Sequence, residues 1–295
     1  MKIGFAGLGR MGTPMAAHIA AAGHSVIAYD IALIGGQPIP EPLRANHIHV
    51  AACPADLGAA DISISMLPNA PITDSVLFGA DGIIDAAREG HIHVVMATVG
   101  PAAVIGFAHR AAAMGVSMAD SPVSGSVSLA ETGALTAIVG ADTATFNRLQ
   151  PVLAPMTAQQ FHVGDVGAGS AAKLAVNSVL AALNQGIAEA ILLAQAGGVR
   201  PADLYDVLES SAVAAPYVAY KRDHFLDPAG VDVAFTTALL RKDVALGLTL
   251  AAEHNLHLPQ AQTVAGVLDD ATKAGLGEDD MAAVLSLLRA NTRGP

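Results

Sequence analysis

The stretch KIGFAGLGRMGTPMAAHIAAAGHSVIAYD, residues 2–30, decides how the rest of the chain is read. Lys2–Ala6 is a short apolar run of strand character that leads straight into Gly7-Leu-Gly-Arg-Met-Gly12. An Ala-rich helical pattern follows over Met11–Ala22, and a second apolar run, Ser25–Tyr29, ends in Asp30. A glycine triplet alone is a weak signal; strand, triplet, helix, strand and terminal carboxylate in that order form the signature of a dinucleotide-binding unit. The segment Gly7, Leu8, Gly9, Arg10, Met11 and Gly12 is then the phosphate cradle. Gly7 permits the tight turn, Gly9 lets a pyrophosphate approach the backbone, and Gly12 allows close helix–strand contact. The free N–H groups and dipole of the helix N-terminus stabilise the phosphates. Asp30 is placed to accept hydrogen bonds from adenosine ribose hydroxyls. Its charge opposes a 2′-phosphate, and no Arg or Lys follows until Arg44, so NAD is expected over NADP. The opening superficially suggests a signal peptide, but the glycines and Arg10 interrupt its apolar segment.

Beyond residue 30 the alternation continues, with further strands expected at Ile62–Met66, Ile92–Ala97, Val116–Ala119, Leu135–Val139 and Gln160–Val163. Helical patterns at Pro101–Met114 and Thr143–Leu153 lie among them. Such alternation predicts an α/β Rossmann-type domain with a doubly wound, mostly parallel sheet. From about Gly169 only Ala/Leu-rich helical patterns remain, at 169–196, 201–210, 236–255, 260–274 and 278–291. We therefore expect a nucleotide-binding domain over 1–163 and an all-α domain over 164–295, joined by a long helix that starts after the glycine-rich Gly164–Gly169. That helix, about 40 Å long, is apolar almost all round and is expected to be buried on most sides. Its Lys173, Asn177 and Asn184 fall within about 40° of one another and make a narrow polar stripe, which must face partners, water or a ligand. Together with Gln185, Glu189 and Gln195, these groups are too many for a membrane span.

Composition narrows the partners. The 295 residues carry a net charge of −11 with 53% hydrophobic and 14% charged residues, which excludes disorder and argues against a nucleic-acid partner. The single cysteine, Cys53, excludes an intramolecular disulfide framework and fits a reducing cytoplasm. Among the histidines, His91 and His93 share one strand face, as do His47 and His49, while His254 and His257 lie one turn apart. None makes a three-ligand set, so no metal is assigned. Asp279 and Asp280 read as loop or helix-start charges. Tyr217, Lys221 and Arg222 in PYVAYKRD read as a loop, either a solvated surface or a contact to the far end of a substrate.

Several motifs appear in a fixed order along the chain: the 7–30 segment, ISMLPNAP at 64–71, ATVGP at 97–101, DSPVSGSVSLAETGAL at 120–135, GDVGAGSAAKLAVN at 164–177 and RKD at 241–243. In this the chain resembles the β-hydroxyacid dehydrogenase family, of the 3-hydroxyisobutyrate dehydrogenase type. The resemblance implies that Leu67 and Pro68 line the cofactor site and that Thr98 lies near the nicotinamide and substrate. It implies that Ser124 and Gly125 hold the substrate carboxylate, that Lys173 is the acid/base, that Asn177 orients substrate or lysine, and that Lys242 closes the site against the cofactor. It also implies a small carboxylic acid substrate and a homodimer or homotetramer. Lys173 suits the chemistry independently, because removing a hydride from a carbinol carbon requires a group to take the hydroxyl proton. A largely apolar helix face would lower its pKa towards the useful range. Val95, Ala97, Ser126, Leu129 and Val176 depart from the family pattern and are expected to border the substrate pocket. Two other functions share these features. One is an imine reductase or reductive aminase of the same fold, which usually lacks the lysine; the other is a non-catalytic NAD-binding protein.

Overall fold

The structure, a computed structural model, describes residues 1–292; residues 293–295 of the expected helical domain lie outside the described residues. It divides into two compact units, Met1–Lys173 and Leu174–Pro295. The first contains strands β1 (Lys2–Ala6), β2 (Ser25–Tyr29), β3 (His49–Val50), β4 (Ile62–Ser65), β5 (Ile92–Val95), β6 (Ser117–Asp120), β7 (Val123–Ser124), β8 (Leu135–Gly140) and β9 (Thr157–Gly164). Between them lie helices α1 (Gly12–Ala21), α2 (Ile31–Ile34), α3 (Glu41–Ala45), α4 (Ala70–Phe78), α5 (Pro101–Ala112), α6 (Val127–Glu131) and α7 (Thr143–Leu153).

The sheet order is β3-β2-β1-β4-β5-β6-β8-β7, with β9 added to β8. Strands β3 through β6 in that order are parallel, and β8 runs antiparallel to β6 and β7. The expected doubly wound, mostly parallel sheet is therefore present, extended by a mixed edge. Chain order reverses between β1 and β4, and Gly7–Gly12 leaves β1 at that reversal, where open α/β sheets bind ligands. One face of the sheet packs Ile3, Phe5, Met15, Ile19, Ile62, Ile64 and Val94. The other packs Leu57, Leu77, Ile83, Val95, Phe107 and Met118.

Within that second face, β4 and β5 carry a buried polar chain that replaces the metal pair weighed for His91 and His93. His91 Nδ1 lies 2.9 Å from Ala60 O and must be its donor. His91 Nε2 is then an acceptor for the Ser63 hydroxyl at 2.7 Å. Ser63 Oγ in turn accepts from His93 Nδ1 at 2.7 Å. His93 Nε2 accepts from the Ser65 hydroxyl at 3.0 Å. Each proton has one place, and both imidazoles are neutral. Burial holds His93 down at about 3, with His91 adding to the effect. Because the folded-state pKa lies below the unfolded 6.5, stability is fully present above pH 6.5 and is lost as pH falls towards 3. At pH 5 the loss from His93 is about 2 kcal/mol relative to pH 8. Urea unfolding at the two pH values checks this: His93→Leu should shrink the difference by about that amount, and an unchanged difference would refute it.

The helical unit contains α9 (Pro201–Ser210), α10 (Pro216–Leu226), α11 (Thr237–Glu253), α12 (Pro259–Lys273) and α13 (Val284–Thr292), preceded by α8 (Ala168–Ala196), which begins in the first unit. Ala181, Ile187, Ala188 and Ile191 of α8 pack with Tyr205, Tyr217, Phe225, Leu240, Val264, Leu268 and Leu285. Within one chain α8 is buried on part of its surface, with Val179 69% and Leu193 77% exposed. The helical core takes only one stripe of α8. The helix is long and apolar enough to cross a membrane. Yet Asn184 donates to Met281 O at 2.9 Å and accepts from the Tyr217 hydroxyl at 2.7 Å, the bonding of a core helix.

PYVAYKRD is also corrected, from a loop to most of α10. Pro216 starts the helix, and Tyr217, Val218, Lys221 and Phe225 form its buried face. Neither reading of Lys221 holds: it is fully buried and binds Asp280 at 2.5 and 2.7 Å. Asp280 is the helix-start charge expected, capping a 3₁₀ turn through Ala282 N. Burial works to raise its carboxyl, and Lys221 beside it more than offsets this and holds it below the usual carboxylate range. Arg222 is half-exposed and pairs with Asp206 and Glu209.

Candidate active site

The carboxyl ends of parallel strands lie along one edge of the sheet, and this edge gathers the candidate residues of the first unit. Gly7 follows β1, Asp30 follows β2, Leu67 and Pro68 follow β4, and Thr98 follows β5. The three glycines of the loop stand in different surroundings. Gly7 has φ +94°, and a Cβ there would meet Met66 O at 2.3 Å. A Cβ on Gly12 would meet Gly7 O at 1.9 Å, so only glycine lets α1 start so close to β1. Gly9 has nothing within 4 Å of its Cβ position and leaves open space over the loop, the approach a pyrophosphate needs. No side chain caps α1, so its first N–H groups are not closed off by a cap. The residues present thus fit a dinucleotide. Leu8 is buried and Met11 packs against the core, so these two contribute backbone, not side chain, to the loop face.

Asp30 does more than end a strand. Its Oδ2 accepts from Leu8 N at 2.6 Å and its Oδ1 from Ala32 N at 2.8 Å. The carboxylate therefore ties the glycine loop to the start of α2, and each oxygen keeps a second lone pair for a further donor. The nearest basic side chain along the sequence, Arg44, is engaged with Glu41 at 2.5 Å.

Ser124 lies on β7 opposite Thr136, half-buried, and Gly125 follows it at φ +138°. A Cβ on Gly125 would meet Leu135 Cδ2 at 2.8 Å, which accounts for the glycine. Of the family departures, Val95 and Ala97 are buried in the apolar core and Val176 is exposed on α8, so their expected pocket position is corrected. Ser126 and Leu129 remain beside Gly125.

Lys173 is half-buried in the second turn of α8. Two residues the sequence reading overlooked support this helix and its neighbour. Asp120, at the end of β6, is fully buried and accepts from Gly167 N at 2.7 Å and Ser170 N at 2.5 Å. Burial raises its pKa against the opposing pull of those two amides. In the helical unit, Asp243 accepts from Asn177 Nδ2 at 2.6 Å and lies 3.1 Å from Lys242 Nζ. The RKD motif held Asp243 in view, but its partner Asn177 is distant in sequence. Asn184, third in the polar stripe, is spent on Met281 and Tyr217 and is structural. No group of three metal-ligating side chains occurs among the described residues.

Comparison with known proteins agrees with this geometry. Residues 2–164 match the family described as the NAD-binding domain of 6-phosphogluconate dehydrogenase. Residues 167–288 match that described as NAD-binding of NADP-dependent 3-hydroxyisobutyrate dehydrogenase. The chain is 34% identical over 290 residues to 2-(hydroxymethyl)glutarate dehydrogenase of Eubacterium barkeri, covering 97% of this chain and 94% of that one.

The chain belongs to the β-hydroxyacid dehydrogenase family. It is an NAD(P)-dependent enzyme of the hydroxyacid dehydrogenase type. The enzyme is also 35% identical over 275 residues to 3-hydroxyisobutyrate dehydrogenase of Pseudomonas aeruginosa, covering 90% of this chain and 89% of that one. The Mycobacterium tuberculosis 3-hydroxyisobutyrate dehydrogenase solved with L-serine superimposes on it with a TM-score of 0.87 at 30% identity, covering 98% of this chain and 99% of that one.

Proposed function

We propose that the enzyme interconverts a small β-hydroxy acid, of the 3-hydroxyisobutyrate kind, and its semialdehyde or keto form, with NAD preferred over NADP. The observation that carries this reading is the half-buried Lys173 on a helix start tied to β6, in the same unit as a glycine loop shaped for a dinucleotide. A dinucleotide held by the Gly7–Gly12 loop and Asp30 would supply the acceptor or donor of the hydride. Lys173 as a neutral amine takes the hydroxyl proton as the carbinol carbon is oxidised, and as an ammonium returns it in reduction. Asn177, with its amide nitrogen committed to Asp243, has its carbonyl oxygen left to orient lysine or substrate. Ser124 and Gly125 supply donors for the substrate carboxylate, and Thr98, Leu67 and Pro68 flank the cofactor. Lys242 is assigned to the cofactor by family resemblance. The preference for NAD rests on Asp30, whose charge costs a 2′-phosphate dearly with no cation adjacent in sequence to offset it. Family resemblance and the exposed Val179 and Leu193 support a homodimer or homotetramer, and the single cysteine supports a cytoplasmic setting.

The test is a screen of small β-hydroxy acids with NAD and NADP, followed by formation of the reduced nicotinamide. Turnover is expected on at least one acid, with kcat/KM at least about tenfold higher for NAD. Better turnover with NADP would refute the role of Asp30. Reduction of cyclic imines without turnover of any hydroxy acid would replace the reaction proposed here.

A further inference from the structure

We propose that Asp120 is a positioning residue for the reaction, acting by fixing the height and rotation of the helix start that carries Lys173; this inference rests on the function proposed above. A helix begins with N–H groups that have no partner inside it. At the start of α8 a single buried carboxylate binds Gly167 N, just before the helix, and Ser170 N, in its first turn, at 2.7 and 2.5 Å. A two-point hold spanning most of a turn fixes rotation as well as position, which a one-point cap cannot do. Two glycines let the hold close. A Cβ on Gly140 would lie 2.4 Å from Asp120 Oδ1, and one on Gly169 would lie 2.4 Å from Ile138 O. The helix end therefore rests directly on β6 and β8. Ala168 N binds Asp165 O at 2.9 Å and Ala171 N binds Gly167 O at 3.0 Å, and among the described residues Asp120 supplies the side-chain bonds to Gly167 N and Ser170 N.

Lys173 lies three residues beyond Ser170, about 4.5 Å along the axis. A helix released from the Asp120 hold and turned by about 20° would move a side chain at a radius of about 5–6 Å by about 2 Å. Misplacement on the order of 1 Å costs about a hundredfold in well-aligned reactions. Asp120 is fully buried beneath the helix start, so its effect on the substrate passes through the helix.

The experiment is a double-mutant cycle on the full chain between Asp120→Asn and Lys173→Ala, with kcat measured on the best hydroxy acid of the screen and NADH binding measured separately. Asp120→Asn keeps the shape but sets an N–H donor against an N–H donor. It is expected to lower kcat by about 10- to 100-fold in the wild-type background. In the Lys173→Ala background it is expected to change the residual rate by about twofold or less, because a lysine already absent cannot be misplaced. NADH affinity should change by about twofold or less in every variant, since the phosphate loop is untouched. Equal losses in both backgrounds, or no loss in the wild type, would overturn the inference. Should Asp120→Asn not fold, Asp120→Glu carries the same cycle with the same expectations and the same refutation. A chain with no hydroxy-acid turnover, or a Lys173→Ala variant as fast as wild type, would instead sink the proposed function itself.

Discussion

Replacing Lys173 by alanine is expected to lower kcat by about 100- to 10,000-fold while NAD binding survives. The size follows from the role. An acid/base positioned at a reacting hydroxyl contributes in that range. In the proposed site the dinucleotide is held by Gly7, Gly9, Gly12 and Asp30, and Asp30 fixes that loop through Leu8 N and Ala32 N. Lys173→Arg is expected to be nearly as impaired, because a guanidinium cannot give up its proton to act as a base. Steady-state kinetics with the best acid from the screen, together with NADH titration, reads both quantities. A wild-type kcat in Lys173→Ala would end the mechanism. A lost NADH affinity would show that the variant damaged the first unit and not the chemistry.

The second large effect is on stability. Lys221→Met is expected to destabilise the folded protein by about 3–5 kcal/mol, with Tm lower by roughly 10 °C. Asp280 would then be a largely buried carboxylate without its lysine, keeping the amides of Ala234, Phe235 and Ala282 and His224 Nε2 at 3.7 Å. Those amides also make removal of Asp280 costly, since they would be left unpaired. Calorimetry or urea unfolding of the purified variant measures the loss. A change below about 1 kcal/mol would show that the Lys221–Asp280 pair contributes no more than an exposed one.

Much of the first unit was legible because its signals are local. The apolar period of Lys2–Ala6, the Gly7–Gly12 turn and the carboxylate at Asp30 sit within one crossover unit, and their spacing alone predicts their geometry. Other features carry weaker or longer-range signals. Strands β3 and β7 have two residues each, below any periodic signal. Helix α10 was missed because Lys221 interrupts the face made by Tyr217, Val218 and Phe225, although Pro216 marks its start. The pocket expectation for Val95 and Ala97 fails because motif position says which strand a residue is on, not which face it takes.

Reaction class is legible in the chain alone, because an ordered set of family motifs, with a glycine loop and an acidic strand end among them, survives any detail of packing. How these parts are held depends on contacts between distant residues. Asp120 meets Ser170 across 50 residues, Asn177 meets Asp243 across 66, Lys221 meets Asp280 across 59, and Ser63 meets His91 across 28. A carboxylate in sequence is only a charge. Whether it caps a helix, orients an amide or neutralises a buried lysine depends on which donors folding brings to its two oxygens, and burial then makes that one choice expensive to change.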